Sequence, residues 1–303
     1  MGNIVSDVIN IHSSAIIVDT IAICIGTAST IWFCQHYQIA HRLHQTLFGN
    51  RGAADDDDEA LFKDPPPCEE CPICFLPLPD PNHTFFKTCC GKRICCGCMY
   101  AMSAESRGRG KVVLCAFCRK PPSRSPEEED ERMKKCMDAD NAYAFCILAR
   151  DYEHGDGVPQ DFAKAHELYL KAGELGCPEA YLNLGSLYNG GGVEVDKNKT
   201  KHFYELAAMN GCVGARHNLG CLEGEAGNQN RARKHFMIAA KAGYKDSLDT
   251  VKKGYMMGYF TKDEFANTLR AYQKAHDGMK SDMRDKFGAF YHNQRKSRQV
   301  ESR

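Results

Sequence analysis

The sequence lacks an excess of charge of either sign. Its 303 residues include 39 basic and 39 acidic residues, so the formal net charge is zero. A protein that binds nucleic acid usually presents a basic surface to the phosphates, and the overall composition supplies none. We therefore expect no nucleic-acid partner.

The sequence also lacks the usual signs of a catalytic or nucleotide-binding site. The glycine run at residues 190–192 is not followed by G-K-[ST], so it is not a phosphate-binding loop. No nucleophile and base stand out as a pair, and we predict no catalytic residue. Four widely spaced histidines are interpreted as surface or packing residues: His166, His202, His217 and His235.

Cysteine is abundant, but a paired disulfide framework is lacking. Seven of the 17 cysteines are scattered at irregular spacing, at Cys24, Cys34, Cys136, Cys146, Cys177, Cys212 and Cys221. Scattered cysteines of this kind serve as small apolar residues in proteins of reducing compartments. We therefore expect the folded part of the chain to lie in the cytosol or nucleus.

Basic residues are absent before a long apolar run at residues 15–34. The run is about long enough to cross a bilayer, and its isoleucines could offset the insertion cost of Asp19. Arg42 and Arg51 follow it, which favours a cytosolic C-terminal side. We predict that residues 1–48 form a hydrophobic N-terminal helix that anchors the chain to a membrane. A buried or surface-lying amphipathic segment is the alternative, while the missing basic region disfavours a signal peptide.

A second kind of membrane anchor is suggested by the first six residues. They fit the N-myristoylation pattern M-G-x-x-x-S, with Gly2 as the candidate lipidation site. Myristoylation occurs in the cytosol, so it is an alternative to a helix that carries Gly2 across the membrane. Either anchor predicts a membrane-associated protein, and the alternative location is cytoplasmic.

Two segments have the composition of linkers. Residues 49–67 combine five consecutive acidic residues at positions 55–59 with three prolines at 65–67, and we interpret them as a solvated spacer rather than an acidic docking tail. Residues 123–140 form a charged linker. Its acidic residues would suit the start of a helix that runs into Met133 and Met137.

Ten cysteines lie between residues 68 and 118 in a pattern typical of metal ligands. Two residues between cysteines allow both thiolates of a tight turn to reach one metal ion. The chain has three such pairs and one adjacent doublet: Cys71 and Cys74, Cys95 and Cys98, Cys115 and Cys118, and Cys89 and Cys90. So many pairs in so short a stretch predict structural zinc binding.

These motifs resemble an all-cysteine RING finger over residues 68–122. The matching stretches begin with Cys71-Pro72-Ile73-Cys74 and end with Cys115-Ala116-Phe117-Cys118-Arg119. The resemblance implies a small α+β cross-brace with two Zn²⁺ ions. One ion would be held by Cys71, Cys74, Cys95 and Cys98, and the other by Cys89, Cys90, Cys115 and Cys118. Eight thiolates close both sites to water and substrate, so the metals are structural.

The sequence departs from the usual pattern at one ligand position. Lys92 stands where most RING fingers have a histidine, so the resemblance assigns the missing ligand to the Cys89-Cys90 doublet, where Gly91 permits a tight turn. Three other residues remain open as the eighth ligand: Cys96, Cys68 and His83.

The resemblance implies a ubiquitin ligase that docks a ubiquitin-conjugating enzyme and orients its thioester. Ile73 would contact that enzyme, and Arg119 would bond both the enzyme and ubiquitin. Ala116 stands where a proline is frequent, which departs from the pattern. The alternative function is a non-enzymatic scaffold in which the zinc module is structural.

From residue 141 the chain repeats with a period of about 35 residues, which indicates stacked helix pairs. The motif Leu184-Gly185-Ser186-Leu187-Tyr188 and the glycine-rich turns resemble Sel-1-like repeats, relatives of the tetratricopeptide family. The resemblance implies an all-α solenoid over residues 141–277, with three repeats and a C-terminal cap that begins at a Thr261 capping box. Such a surface would recruit a protein substrate or adaptor. Residues 278–303 are predicted to be a polar, basic tail that frays from His292.

Overall fold

The computed structural model describes residues 60–301, with gaps at residues 67, 79–82, 109 and 111. The predicted N-terminal segment, residues 1–48, lies outside the described residues together with Gly2. Within the ranges that the structure describes, no helix combines the length and apolar character needed to cross a membrane.

The described elements form a small cysteine-rich module followed by an array of helices. The module consists of β1 (Thr84–Lys87), β2 (Lys92–Cys95) and α1 (Cys96–Gly108). The remaining helices are α2 (Pro126–Asp138), α3 (Ala142–His154), α4 (Phe162–Glu174), α5 (Pro178–Tyr188), α6 (Lys197–Met209), α7 (Val213–Glu225), α8 (Gln229–Lys241), α9 (Lys245–Met256), α10 (Lys262–Met279) and α11 (Asp282–Glu301). The predicted all-α solenoid is thereby confirmed.

The regularly spaced glycines of the sequence lie just after the second helix of each pair. Gly176, Gly211 and Gly243 follow α4, α6 and α8 with φ of 94°, 92° and 96°. These values lie in the left-handed region, where a side chain would be strained. The capping box predicted at Thr261 is also present, and it starts α10.

A second set of glycines lets paired helices approach closely. Gly185 on α5 faces the Tyr204 ring of α6, and Gly220 on α7 faces the Phe236 ring of α8. A Cβ at either glycine would overlap the facing ring. In these two repeats the glycine therefore lets the facing aromatic ring approach the helix backbone, whereas the first repeat has Ala149 at the equivalent position.

Replacing Gly185 by alanine is expected to destabilise the repeats by about 1–3 kcal/mol, because the added methyl group must displace a packed ring. Tyr204 is only 3% exposed, and its hydroxyl lies 3.2 Å from that of Ser186. The free energy of unfolding in urea would measure the change. Gly214→Ala is the control, since its Cβ would meet Leu182 at an ordinary 3.4 Å. Equal effects at the two glycines would contradict the close-approach argument.

The charged linker predicted at residues 123–140 is largely a helix. Ser125 caps α2 by accepting from the Glu128 N–H, and the acidic residues at its start suit the helix dipole. Cys136 is buried and lies 3.1 Å from the Thr88 carbonyl oxygen, so α2 packs on the cysteine module.

Most of the predicted polar tail, residues 278–303, forms α11, and the first half of this helix packs on the cysteine module, whereas fraying from His292 stays a prediction. The Phe287 ring meets the Phe85 ring of β1 edge-on, with centroids 6.0 Å apart. A Cβ at Gly97 of α1 would lie 2.7 Å from the Arg284 backbone nitrogen, so the two helices are in close contact.

The prediction of a solvated spacer is wrong for the end of the first linker. Residues 60–66, here called the LF segment, lie in a groove lined by α6, α7 and α8. Leu61 is only 4% exposed, and Arg216 donates to the carbonyl oxygen of Lys63 over 3.1 Å. The composition of the linker predicted that it is solvated, but Leu61 is buried and Phe62 is half-buried.

Candidate metal centre

The structure brings the cysteines of the module into two groups of four. In each group the four Sγ atoms all lie within 4.8 Å of one another. The first group is Cys71, Cys74, Cys95 and Cys98, and the second is Cys89, Cys90, Cys115 and Cys118. Each group could hold a metal ion.

The separations between the sulfur atoms have the size of a zinc tetrahedron. With Zn–S bonds of about 2.3 Å, two thiolates of a tetrahedral site lie about 3.8 Å apart. The Sγ atoms of Cys71 and Cys98 are 3.8 Å apart, those of Cys74 and Cys95 are 3.7 Å apart, and those of Cys90 and Cys115 are 3.6 Å apart. These distances are far above a disulfide bond of about 2.05 Å. The donor set therefore fits zinc.

Three tight turns place the cysteine pairs, and each turn ends in a left-handed residue. The Phe75 N–H donates to the Cys71 carbonyl oxygen over 2.8 Å, and the Arg119 N–H donates to that of Cys115 over 3.1 Å. Phe75 and Arg119 both have φ of 58°, and Gly91 has φ of 67° after the Cys89-Cys90 doublet. The doublet thus adopts the same kind of turn as the C-x-x-C pairs.

Backbone amides in these turns favour thiolates. The Cys95 N–H donates to the Cys71 sulfur over 3.4 Å. Burial alone would raise the pKa of Cys71, but the amides of Cys95, Cys74 and Ile73 outweigh it and lower the pKa to about 7. Burial is likewise outweighed at Cys115, where the amides of Cys118 and Phe117 lower the pKa to about 6. Burial and neighbouring sulfur atoms raise the pKa of Cys98 and Cys89, so four thiolates together require a cation.

The other candidate ligands lie outside both groups. Cys68 and His83 are exposed, and Cys96 is buried but belongs to neither group. Lys92 is exposed at the start of β2. In the structure, the Cys89-Cys90 doublet therefore completes the second group of four sulfur atoms, and Cys68, His83 and Cys96 do not contribute to it.

The two residues proposed to contact a conjugating enzyme differ in exposure. Ile73 is half-buried and packs on the cluster that contains Leu78 and Ile94. Arg119 is exposed and follows the last cysteine of the second group. Sequence reasoning missed Arg284 of α11, whose guanidinium lies 3.8 Å from the Cys74 sulfur. No local spacing could have revealed this contact, because 210 residues separate the two.

A buried arginine joins the cysteine module to the helix array. Arg93 of β2 is 9% exposed and donates to Glu69 over 3.1 Å and to Glu179 of α5 over 3.5 Å. Its guanidinium also lies 3.8 Å from the centroid of the Tyr143 ring on α3. Asn141, which caps α3, donates to the Gly91 carbonyl oxygen over 3.1 Å.

Comparison with protein families matches the helix array to the Sel1 repeat at residues 142–177, 178–212 and 213–244. Residues 142–244 are three Sel1 repeats. The bounds of the match coincide with the helix pairs α3–α4, α5–α6 and α7–α8. The match covers about a third of the chain and does not include the cysteine module.

Solved structures that are similar to this chain include the following two. The Sel1 repeat protein from Oxalobacter formigenes is 22% identical over 59% of this chain and 71% of its own, with a TM-score of 0.45. The protective antigen c5321 of uropathogenic Escherichia coli, described as displaying an SLR fold, is 26% identical over 60% of this chain, with a TM-score of 0.44. This chain spans 37% of the length of the antigen. A comparison with curated proteins found no match.

Proposed function

We propose that this chain is a protein-interaction scaffold in which a two-zinc module is fixed to an array of Sel1 repeats. The observation that carries the proposal is the buried Arg93, which bonds Glu69 within the module and Glu179 on the repeats. A rigid junction of this kind keeps two binding surfaces at a constant distance and orientation. That is what a scaffold requires of its parts.

The helix array exposes apolar side chains just beyond the Sel1 repeats, and these suit a protein partner. Met256 at the end of α9 is 76% exposed, and Met257 and Tyr259 in the turn that follows are 72% and 59% exposed. Neighbouring exposed apolar side chains of this size mark interaction sites more often than ordinary surface. Methionine and tyrosine are also well suited to contact, since one is flexible and the other presents a rigid amphipathic ring.

Site-specific photo-cross-linking in cells tests the scaffold. A photoreactive residue would replace Met257 in the full chain, and the control would carry it at exposed Lys252 on the preceding helix. We expect discrete cross-linked partners from position 257 and few from position 252. Equal labelling at both positions, or none at position 257, would contradict a partner surface at this turn.

RING-type ligase activity is a second candidate, favoured by the order of the two cysteine groups. Cys89 and Cys90 of the second group lie in sequence between Cys74 and Cys95 of the first. This interleaving is the cross-brace order, and it would place Ile73 and Arg119 next to different metal ions. On this proposal the module docks a ubiquitin-conjugating enzyme and the Sel1 repeats hold the substrate or adaptor.

A ubiquitination assay separates the ligase from the scaffold. The full chain, with two zinc ions counted by native mass spectrometry, would be mixed with ubiquitin, activating enzyme and a panel of conjugating enzymes. If the chain is a ligase, the wild type should form ubiquitin chains, and Ile73→Ala and Arg119→Asn should not. Asparagine is chosen at position 119 because it tolerates the left-handed backbone there. Val195→Ala, at an exposed position on the repeats, is the control. No chains with any conjugating enzyme would exclude the ligase and leave the scaffold.

A further inference from the structure

The LF segment occupies a groove on the Sel1 repeats as a bound peptide would. Leu61 inserts into an apolar pocket formed by α6 and α7, and the pocket residues are Tyr204, Ala207, Ala208, Ala215 and Leu219. Three of them are alanines, so the pocket is wide enough for a branched side chain. We call this site, together with Arg216 and the adjoining face of α8, the LF groove.

A buried arginine recognises the backbone of the segment. Arg216 is only 2% exposed, and its guanidinium donates to the carbonyl oxygens of Leu61 and Lys63. The Asp64 carboxylate of the same segment adds an electrostatic attraction to this guanidinium. A buried cation needs compensation from hydrogen bonds or charge. Here the hydrogen bonds come from peptide carbonyl groups, which any extended segment could supply.

The groove also selects an aromatic side chain after the leucine. The Phe62 ring packs on the buried His235 ring, with centroids 4.7 Å apart. The cations of Arg231 and Lys234 lie 5.2 Å and 4.9 Å from the Phe62 centroid. Such cation–π contacts favour a ring over an aliphatic side chain at this position.

The sequence on the N-terminal side of the leucine is acidic. Residues 55–59 are all acidic and directly precede Ala60 and Leu61. The groove offers Lys234 as an exposed cation, whereas Arg216 is buried and Arg231 is paired with Glu223. Beyond the phenylalanine, Pro66 lies against the turn at Gly211, where a Cβ would come within 3.0 Å of it. The site therefore fits acidic residues, then Leu-Phe, then a short stretch that ends in proline.

We propose that the LF groove binds a partner protein through an acidic segment followed by Leu-Phe, and that residues 60–66 are an internal ligand that the partner displaces. The proposal rests on the scaffold function and specifies one of its binding sites. A tethered segment competes at an effective concentration on the order of 1 mM, so it weakens binding of a partner without abolishing it.

Peptide binding to the full chain tests the proposal. The probe is a fluorescent peptide with the sequence of residues 55–66, and the protein is either wild type or the Leu61→Ser, Phe62→Ser double variant. We expect the double variant to bind the peptide at least about 10-fold more tightly, because its own segment no longer competes. A peptide with both apolar residues changed to serine should bind neither protein.

A groove variant in the double-variant background provides the second arm. Lys234→Glu replaces an exposed cation next to the Phe62 site and is expected to weaken peptide binding about 10-fold, with unchanged circular dichroism. Lys253→Glu on α9 makes the same charge change away from the groove and should leave binding unchanged. Arg216→Ala should also abolish binding, but a substitution at a buried residue can destabilise the fold as well. The test of the groove therefore depends on Lys234→Glu.

Three results would overturn the proposal. The first is equal affinity of the peptide for the wild type and the double variant. The second is equal binding of the peptides with and without the Leu-Phe pair. The third is a wild-type dimer that the double substitution converts to a monomer. In the last case the segment would fill the groove of a second copy. The scaffold test uses Met257 on a different turn, so either idea can fail without the other.

Discussion

Replacing Cys95 by serine is expected to remove one of two bound zinc ions and to unfold the cysteine module while the Sel1 repeats stay folded. Cys95 is 1% exposed and belongs to the first cysteine group. The module buries little apolar surface besides its cysteines, mainly Leu78 and Ile94. Zinc would therefore supply most of its stability, on the order of 10 kcal/mol per site. Native mass spectrometry counts the metal, and hydrogen exchange reports the loss of protection in β1, β2 and α1.

The neighbouring residue provides a matched control for this experiment. Cys96 is 3% exposed and directly follows Cys95, but it belongs to neither group. Cys96→Ser should therefore keep both zinc ions and the protection of the module. Two zinc ions in the Cys95→Ser protein, or a metal loss equal to that of Cys96→Ser, would contradict the assignment of ligands.

Loss of the module should also release α11. Its contacts with the module include the Phe287 ring against Phe85 and the Arg284 guanidinium near the Cys74 sulfur. Hydrogen exchange in α11 should therefore rise together with that of the module in Cys95→Ser, while exchange in α5 and α7 stays slow. This coupling distinguishes a helix held by the module from one that folds by itself.

Features that depend on neighbouring residues could be predicted from the sequence. A C-x-x-C pair closes a turn of a few residues, so its spacing alone indicates which cysteines act together. The repeated glycines at 176, 211 and 243 likewise mark left-handed turns that recur with the helix pairs. Both signals are local, and the shape of the rest of the protein does not alter them.

Features that depend on distant surfaces could not be predicted. The acidic and proline-rich composition around Leu61 indicated a solvated spacer, because nothing in the segment shows that a groove containing Arg216 is available 155 residues later. The polar composition of residues 278–303 likewise indicated a tail, and not a helix packed on the cysteine module. The aromatic residues Phe287 and Phe290 were the available signal, since they recur on one face of a helix.

Glu223→Gln is expected to lower the free energy of unfolding of the repeats by about 3 kcal/mol. The Glu223 carboxylate on α7 is 2% exposed and lies 2.8 Å from Lys201 Nζ and 3.0 Å from Arg231 Nε. It also accepts from Asn228 over 2.7 Å. A neutral amide would leave two cations without their buried counter-charge, and breaking one side of a buried network typically costs about 3–5 kcal/mol.

The pH dependence of this difference gives an independent check. Burial would raise the pKa of Glu223, but the bonds from Lys201, Asn228 and Arg231 outweigh it and lower the pKa to about 2. Because the folded-state pKa is below the unfolded value, the stabilisation is complete above about pH 4.5 and is lost as the pH falls toward 2. The stability difference between wild type and Glu223→Gln should therefore narrow over that range. Glu225→Gln, at an exposed position on the same helix, should change stability by less than about 0.5 kcal/mol at any pH. A Glu223→Gln effect as small as that of Glu225→Gln would show that the ion pairs contribute little to the packing of α6, α7 and α8.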